Sequence, residues 1–432
     1  MWPLIPRKRL DIGWSDILFG MGRCFWPGSR DRVQKRIGDF WSSSSDTVVC
    51  LAERSGFELI LEALNLPRGS EILISALNIR SMFEVIERHG LVAVPIDLDM
   101  STLAMKREEL ERAVNKNTKA ILSAQLFGSR LPMDDVVEFA RQHDLFVFED
   151  CAQSFTGDGY VGHAESDVVM VSFGPIKTCS TIMGGVLRFK EASLAAEVAR
   201  RQEELPLHSR WNYLVWLIRF AELKTLSSRA LYTLVMWLAH HLGVQDKKLN
   251  DAIRVFGGQD EVKKFRQKPS YPMLALLERR LKRFETSSIA RRNATAETVI
   301  ERLPPSLRRP GENAPVHNHW IFPVEVSDPV ALMKHLRTLG FDSINGYSSF
   351  IIPEPPEGFE GFRAAEARSM MENVLYLPVH TGVSKKELIQ LAEAVCDFEN
   401  LYRETPEADH LTPVEPVPSA ASEPEHATDG LG

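Results

Sequence analysis

"LFVFEDCAQ", Leu145 to Gln153, is apolar for four residues and then turns acidic. A short apolar run ended by polar residues is the pattern of a strand buried on both faces. Asp150 falls at the end of that strand. It reads either as a turn or helix cap, or as a buried carboxylate that needs a cationic partner. Similar runs lie upstream: "TVVCLA" from Thr47, "EILIS" from Glu71, "LVAVPIDLD" from Leu91 and "AILSAQL" from Ala120. Amphipathic segments separate them, with helices expected over 55–64, 80–89, 106–114 and 133–143. Ser55 and Glu58 form an S-x-x-E pair of the kind that opens a helix. The alternation predicts an α/β fold, a mainly parallel sheet with helices on both faces. Ligands of such sheets sit beyond the carboxyl ends of the strands.

Downstream, "SFGPIKTCSTIMGG" runs from Ser172 to Gly185. Most lysines are solvated surface groups. Lys177, in a small, apolar, glycine-closed stretch, is also a candidate for a desolvated amine, partly neutral and nucleophilic. A protonated pyridine nitrogen is one cation that Asp150 could hold, as pyridoxal phosphate requires. Ala152 is small enough for a flat ring to lie against it. Arg54, Ser55 and the helix start beside them offer an anion site, and Ser172 adds a hydroxyl.

The chain has 432 residues and a net charge of −7, with 44% hydrophobic and 25% charged residues. From Arg403 onward seven acids face one base, so the body is near neutral and offers no general case for binding nucleic acid. The five cysteines are scattered without metal-ligand spacing; no metal site is expected, and a reducing cytoplasm fits them. The N-terminus has charges but no apolar segment of the signal-peptide kind. The organisation expected is an irregular, Trp-bearing N-terminal arm over 1–45 and a large domain over 46–205. An apolar helical insertion and linker should cover 206–270, then a connecting helix near 274–299 within a small α+β lobe over 271–403, and a disordered acidic tail over 404–432. The insertion's hairpin, 211–244, holds three of the eight tryptophans but is interrupted by Arg219, Glu222, Lys224 and Arg229, too often to span a membrane. Its stripes suit packing within the protein or across a dimer, and also a weak contact with a membrane surface.

Taken in order, "EDCAQ", "SFGPIK" and "MGG" resemble the cofactor motifs E-D-x-A-Q, S-F-x-x-x-K and G-G of the DegT/DnrJ/StrS family of aminotransferases. The resemblance runs from about Asp46 to Tyr402. It implies the pyridoxal-phosphate-dependent transferase fold type I (aspartate aminotransferase-like), with a smaller C-terminal α+β lobe. It implies that Lys177 is the Schiff-base lysine, that Asp150 pairs with the pyridine nitrogen, that Gln153 contacts the ring hydroxyl and that Ser172 contacts the phosphate. The implied activity is amino transfer from an amino acid such as glutamate to a keto group on a sugar or sugar-like acceptor, in glycan or secondary-metabolite synthesis. A lyase or decarboxylase using the same cofactor and a non-catalytic cofactor-binding regulator are the alternatives. A homodimer is implied as well. The chain departs from the family pattern in several places. "ERS" stands where S-G-T is usual, "LNIRS" where an aromatic commonly stacks, and Gln125 where histidine is frequent; a fourth departure is "KPSYPM", Lys268 to Met273, in place of the N-Y-R segment.

Overall fold

The computed structural model describes residues 3–26, 28–43, 45–242, 264–346 and 350–404. The expected acidic tail beyond 404 and the part of the insertion over 243–263 lie outside the described residues.

Seven strands form the main sheet: β1 (Thr47–Cys50), β2 (Glu71–Ser75), β3 (Val92–Ile96), β4 (Thr118–Ala124), β5 (Phe146–Asp150), β6 (Val168–Ser172) and β7 (Gly185–Phe189). Their spatial order is β1-β7-β6-β5-β4-β2-β3. All neighbours are parallel except at β7, which runs antiparallel to β6 and β1. β5 reads Phe-Val-Phe-Glu-Asp because helices cover both its faces: Val147 packs into one cluster and Phe148 into another, and both are fully buried. Register sets the site. Asp150 pairs with Ala124 and Met170, while Gly185 pairs with both Ser172 and Cys50. The ends of β5 and β6, the start of β7 and the exit of β1 therefore share one edge.

A second core lies in the C-terminal lobe. Strands Pro323–Glu325, Val374–Tyr376 and Ile344–Asn345 form an antiparallel sheet under the helices Pro329–Thr338 and Lys385–Glu404. Val324, Leu336, Leu375 and Leu391 fill it. At the start of the last helix Ser384 and Glu387 make the expected reciprocal cap, Ser384 N–H donating to Glu387 (2.8 Å) and Glu387 N–H to Ser384 (3.3 Å).

Three local expectations are corrected. The N-terminal arm contains two helices, Trp14–Phe25 and Arg30–Trp41. Ile17, Gly20 and Cys24 form a buried stripe, and the helix packs closely at Gly20, where a Cβ would sit 3.0 Å from Leu217. The connecting helix is two helices, Tyr271–Lys282 and Ser287–Ile300; the chain breaks where Phe284 turns in against Phe155, ring centroids 5.1 Å apart. The first helix of the large domain starts at Glu53, before Ser55. Ser55 reaches back, its hydroxyl donating to the Ala52 carbonyl (2.7 Å) and accepting from Ala52 N–H (3.3 Å). Glu58 instead pairs with Arg266 at 3.3 Å.

The hairpin consists of the helices Arg210–Leu226 and Arg229–His241. Tyr213, Leu217 and Phe220 form its buried stripe. Trp211, Val215, Ile218, Leu231, Leu234 and Leu238 face outward. Among the described residues no helix is long and apolar enough to cross a membrane.

Candidate active site

The lysine loop is held in an unusual backbone state. Cys179 and Ile182 have φ of 58° and 72°, and a branched residue in the left-handed region is a true outlier. Tertiary contacts enforce it. Ser180 accepts from Ile182 N–H (3.1 Å), Cys179 N–H donates to Asp11 of the N-terminal arm (3.1 Å), and the Trp320 indole donates to the Ile176 carbonyl (2.8 Å). Gly184, at φ 130°, and Gly185 close the loop; a Cβ on Gly185 would stand 2.7 Å from the Glu53 backbone nitrogen. The helix start and the loop thus come into contact because of the paired glycines.

Within this frame Lys177 is half-buried, and desolvation lowers its pKa, with Glu53 and Asp150 pulling the other way. Its ammonium lies 4.6 Å from the centroid of the Trp320 ring. Asp150 accepts from Ala152 N–H at 2.9 Å. Next to it, Glu149 is fully buried yet satisfied, accepting from Gln125 (2.9 Å), Tyr160 (2.6 Å), Ser166 (3.0 Å) and His163 N–H (2.7 Å). Glu149 fixes the strand end, and Asp150 is left to face Lys177.

The other expected residues divide. Arg54 lies near enough to Lys177 to lower its pKa, and its guanidinium stacks on Phe265, 5.2 Å from the centroid. Ser172 and Ala152 are half-buried at the same edge. The Ser55 hydroxyl is engaged by Ala52. Gln153 accepts from Phe127 N–H (2.8 Å) through its side-chain carbonyl, so its amide is oriented by the neighbouring turn.

Three residues at the site were not anticipated from the sequence. Glu53 has its carboxyl hydrogen-bonded to Asp150; burial, then the Asp150 charge, raises its pKa well above the usual carboxyl range. Trp320 is set by a relay. Asn318 donates to the Gln153 carbonyl (2.9 Å), and Gly128, at φ 92°, makes room, since a Cβ there would lie 2.8 Å from Trp320 N. Lys8 comes from the N-terminal arm and lies over the same indole, 3.6 Å from its ring centroid. A glycine after Leu-Phe is the one faint sequence signal; nothing local ties Lys8 to residues more than 150 positions away.

Residues 44–209 match the model of the DegT/DnrJ/EryC1/StrS aminotransferase family. Over that segment the chain is similar to this family. It is 32% identical over 139 residues to the GDP-perosamine synthase of Escherichia coli O157:H7, covering 32% of this chain and 38% of that protein. The chain is 29% identical over 201 residues to the GDP-perosamine synthase of Caulobacter vibrioides, covering 45% of this chain and 54% of that protein. The chain thus spans about half the length, or less, of the curated relatives it matches. In fold the likeness is wider. The putative sugar aminotransferase Spr1654 of Streptococcus pneumoniae, solved in PLP and PMP forms, superposes on 92% of this chain and 99% of its own with a TM-score of 0.68 and 17% identity in the PLP form. The fold is that of the type I pyridoxal-phosphate enzymes.

The donor set fits pyridoxal phosphate. A desolvated lysine faces a strand-end aspartate, and a helix start with Arg54 adjoins both. Glu53 alone opposes it, because its carboxyl takes the contact with Asp150 that a ring nitrogen would need.

Proposed function

We propose that this chain is a pyridoxal-phosphate-dependent aminotransferase. It would carry an amino group from an amino acid, in our reading glutamate, to a keto group on a sugar or sugar-like acceptor in glycan or secondary-metabolite biosynthesis. The observation that supports this most directly is Lys177, desolvated and opposed by Asp150 at one sheet edge inside the family segment. When bound, pyridoxal phosphate supplies a carbonyl that captures amines and a ring that withdraws the electron pair left on carbon.

The chain's own residues supply the rest. Burial lowers the pKa of Lys177, which favours its Nζ as a nucleophile and as a group that later accepts and returns a proton. Asp150 would hold a cationic ring nitrogen. Arg54 and the first backbone N–H groups of the helix Glu53–Leu64 would take the phosphate, and Ser172 would add a hydroxyl. Gln153 would meet the ring hydroxyl, and Ala152 would leave room for the ring face. Glu53 must turn away from Asp150 for this to happen.

The working form is proposed to be a homodimer. The outward stripe of the hairpin, with Arg210 and Arg219 stacked on Trp211 and Trp216 at 4.9 and 5.2 Å, suits weak contact with anionic lipid headgroups.

Borohydride reduction with pyridoxal phosphate tests the centre. Wild-type protein should carry the cofactor on the peptide containing Lys177 and release 2-oxoglutarate from glutamate; Lys177→Ala should do neither. Trapping at a different lysine would remove Lys177 from its role.

A further inference from the structure

A cavity of about 300 Å³ opens beside Lys177 between the N-terminal arm, the lysine loop and the C-terminal lobe. Lys8, Arg9, Lys224, Arg291 and Arg292 line it together with Lys177, and Asp11 is the single acid among its lining residues. Asp11 is already committed, to Arg280 at 2.9 Å and Arg292 at 3.4 Å as well as to the lysine loop. The excess of positive charge is therefore not answered from within the wall.

Lys8 shows this most sharply. Its ammonium is sealed from solvent, and among the described residues it has no hydrogen-bond partner. It is not placed there by slack. Ile5 N–H donates to the Gly340 carbonyl (2.8 Å) and Asp342 N–H to the Ile5 carbonyl (3.1 Å). Arg7 grips Asp342 through two nitrogens (2.6 and 3.3 Å), and the His380 ring meets the Pro6 carbonyl at 2.8 Å. The arm is pinned on the residues before Lys8 by the lobe and three residues after it, at Asp11, by the lysine loop. The Trp320 ring face offers it no hydrogen-bond acceptor, and a buried ammonium among cations is costly until an anion supplies one.

We propose that Lys8, with Arg292 beside it, forms an oxyanion subsite that receives the carboxylate or phosphate of a substrate whose reacting atom lies at Lys177. This rests on the amino-transfer reading and assigns to the cavity the charged end of the substrate. Two sources share the chemistry: the carboxylate of the amino donor and a phosphate carried by the acceptor. Arg292 donates to Thr178 (3.1 Å), the residue after Lys177, so the subsite and the reacting lysine are fixed by one strut. The charged and titratable groups around Lys8 are Lys177, Arg292, Asp11 and His319. Burial, then the first two of these, push its pKa well below the usual lysine range. An arriving oxyanion reverses that balance and draws a proton onto the amine.

The test is calorimetric titration of the cofactor-loaded full chain with inorganic phosphate, pyrophosphate and glutarate, each in two buffers of different ionisation enthalpy near pH 7. At least one probe should bind with proton uptake. Binding of the phosphates assigns the subsite to the acceptor, and binding of glutarate assigns it to the donor. Lys8→Met should weaken that probe by about ten- to a hundredfold, the weight of one charge-assisted hydrogen bond, and abolish the uptake. Lys8→Arg should keep the binding without the uptake, and it decides the matter if Lys8→Met does not fold. Absence of binding by every probe, or unchanged affinity and uptake in Lys8→Met, overturns the subsite. Failure of Lys177 to take up cofactor is a separate result and strikes the amino-transfer reading instead.

Discussion

The sheet edge around Asp150 and the rim formed by the N-terminal arm and the hairpin meet at Lys177, but they are built by different means. At the edge, every group is positioned by strand register and by hydrogen bonds among near neighbours, as Glu149 shows with its five donors, the Cys151 thiol included. At the rim, Lys8, Asp11 and Trp320 arrive from segments far apart in the chain and hold one another through a few long-range contacts. The edge is the generic part, shared with the family segment over 44–209. The rim lies outside that segment and is where this chain would set its own substrate. The comparison can be broken by changing each part and asking which property moves.

The largest effect should come from the edge. Asp150→Asn replaces a charge with a neutral amide of the same shape. Turnover should fall by roughly 100- to 1000-fold, the size of losing one preorganised electrostatic partner, while cofactor is still trapped on Lys177. Near-native turnover in single-turnover assays would deprive Asp150 of its role as counter-charge.

Stability should respond most where the rim meets the core. Leu217 is fully buried against Gly20 and Leu276. Leu217→Ala should cost about 3 kcal/mol in denaturant unfolding, as large-to-small changes in tight cores do. A loss under about 1 kcal/mol would mean that the hairpin is only loosely attached to the domain.

These contrasts explain what could be read in advance. The strand pattern from Thr47 to Asp150 was legible because doubly covered strands are continuously apolar, and the strand-end carboxylate and glycine-closed lysine carry local signals. Helix starts were less legible. Ser55 looked like a cap from spacing, yet it sits inside the first turn and caps backwards. The break at Phe284 depends on a tertiary pocket beside Phe155, which no local pattern records. Glu53, Lys8 and Trp320 were missed for the same reason. Their importance lies in what faces them.

Glu53 makes the edge less generic than its motifs suggest, and pH reveals it. Burial beside Asp150 makes the folded chain hold a proton on Glu53 that the unfolded chain releases above its ordinary value, 4.5. The stability linked to that proton is complete below pH 4.5 and is lost as pH rises toward the raised folded value. Cofactor-free protein should therefore melt at falling temperature as pH rises from about 5 to 7. Glu53→Gln should flatten that slope. Glu53→Gly, which also frees Asp150 and the helix start, should tighten pyridoxal phosphate on the order of tenfold, the weight of one hydrogen bond to Asp150 that the ring nitrogen no longer has to displace. An unchanged melting slope in Glu53→Gln would show that Glu53 is ionised against Asp150 after all.

The smallest effect on stability should lie on the outer face of the hairpin, and its smallness is informative. Ile218 and Leu234 are 45% and 49% exposed, whereas Leu217, one residue away from Ile218, is 0% exposed. Ile218→Ser with Leu234→Ser removes apolar area that the single chain does not bury, so unfolding should change by no more than about 0.5 kcal/mol. Turnover should not move, because neither residue lines the cavity at Lys177. What should change is association. If the stripe meets lipid, wild-type protein co-sediments with vesicles rich in anionic phospholipid at low salt and the double variant does not. If it meets a second copy, the double variant lowers the mass in solution and vesicles make no difference. A double variant that loses several kcal/mol would show that the stripe is packed inside the chain, and the division between a buried face and an outward face of the hairpin would then fail.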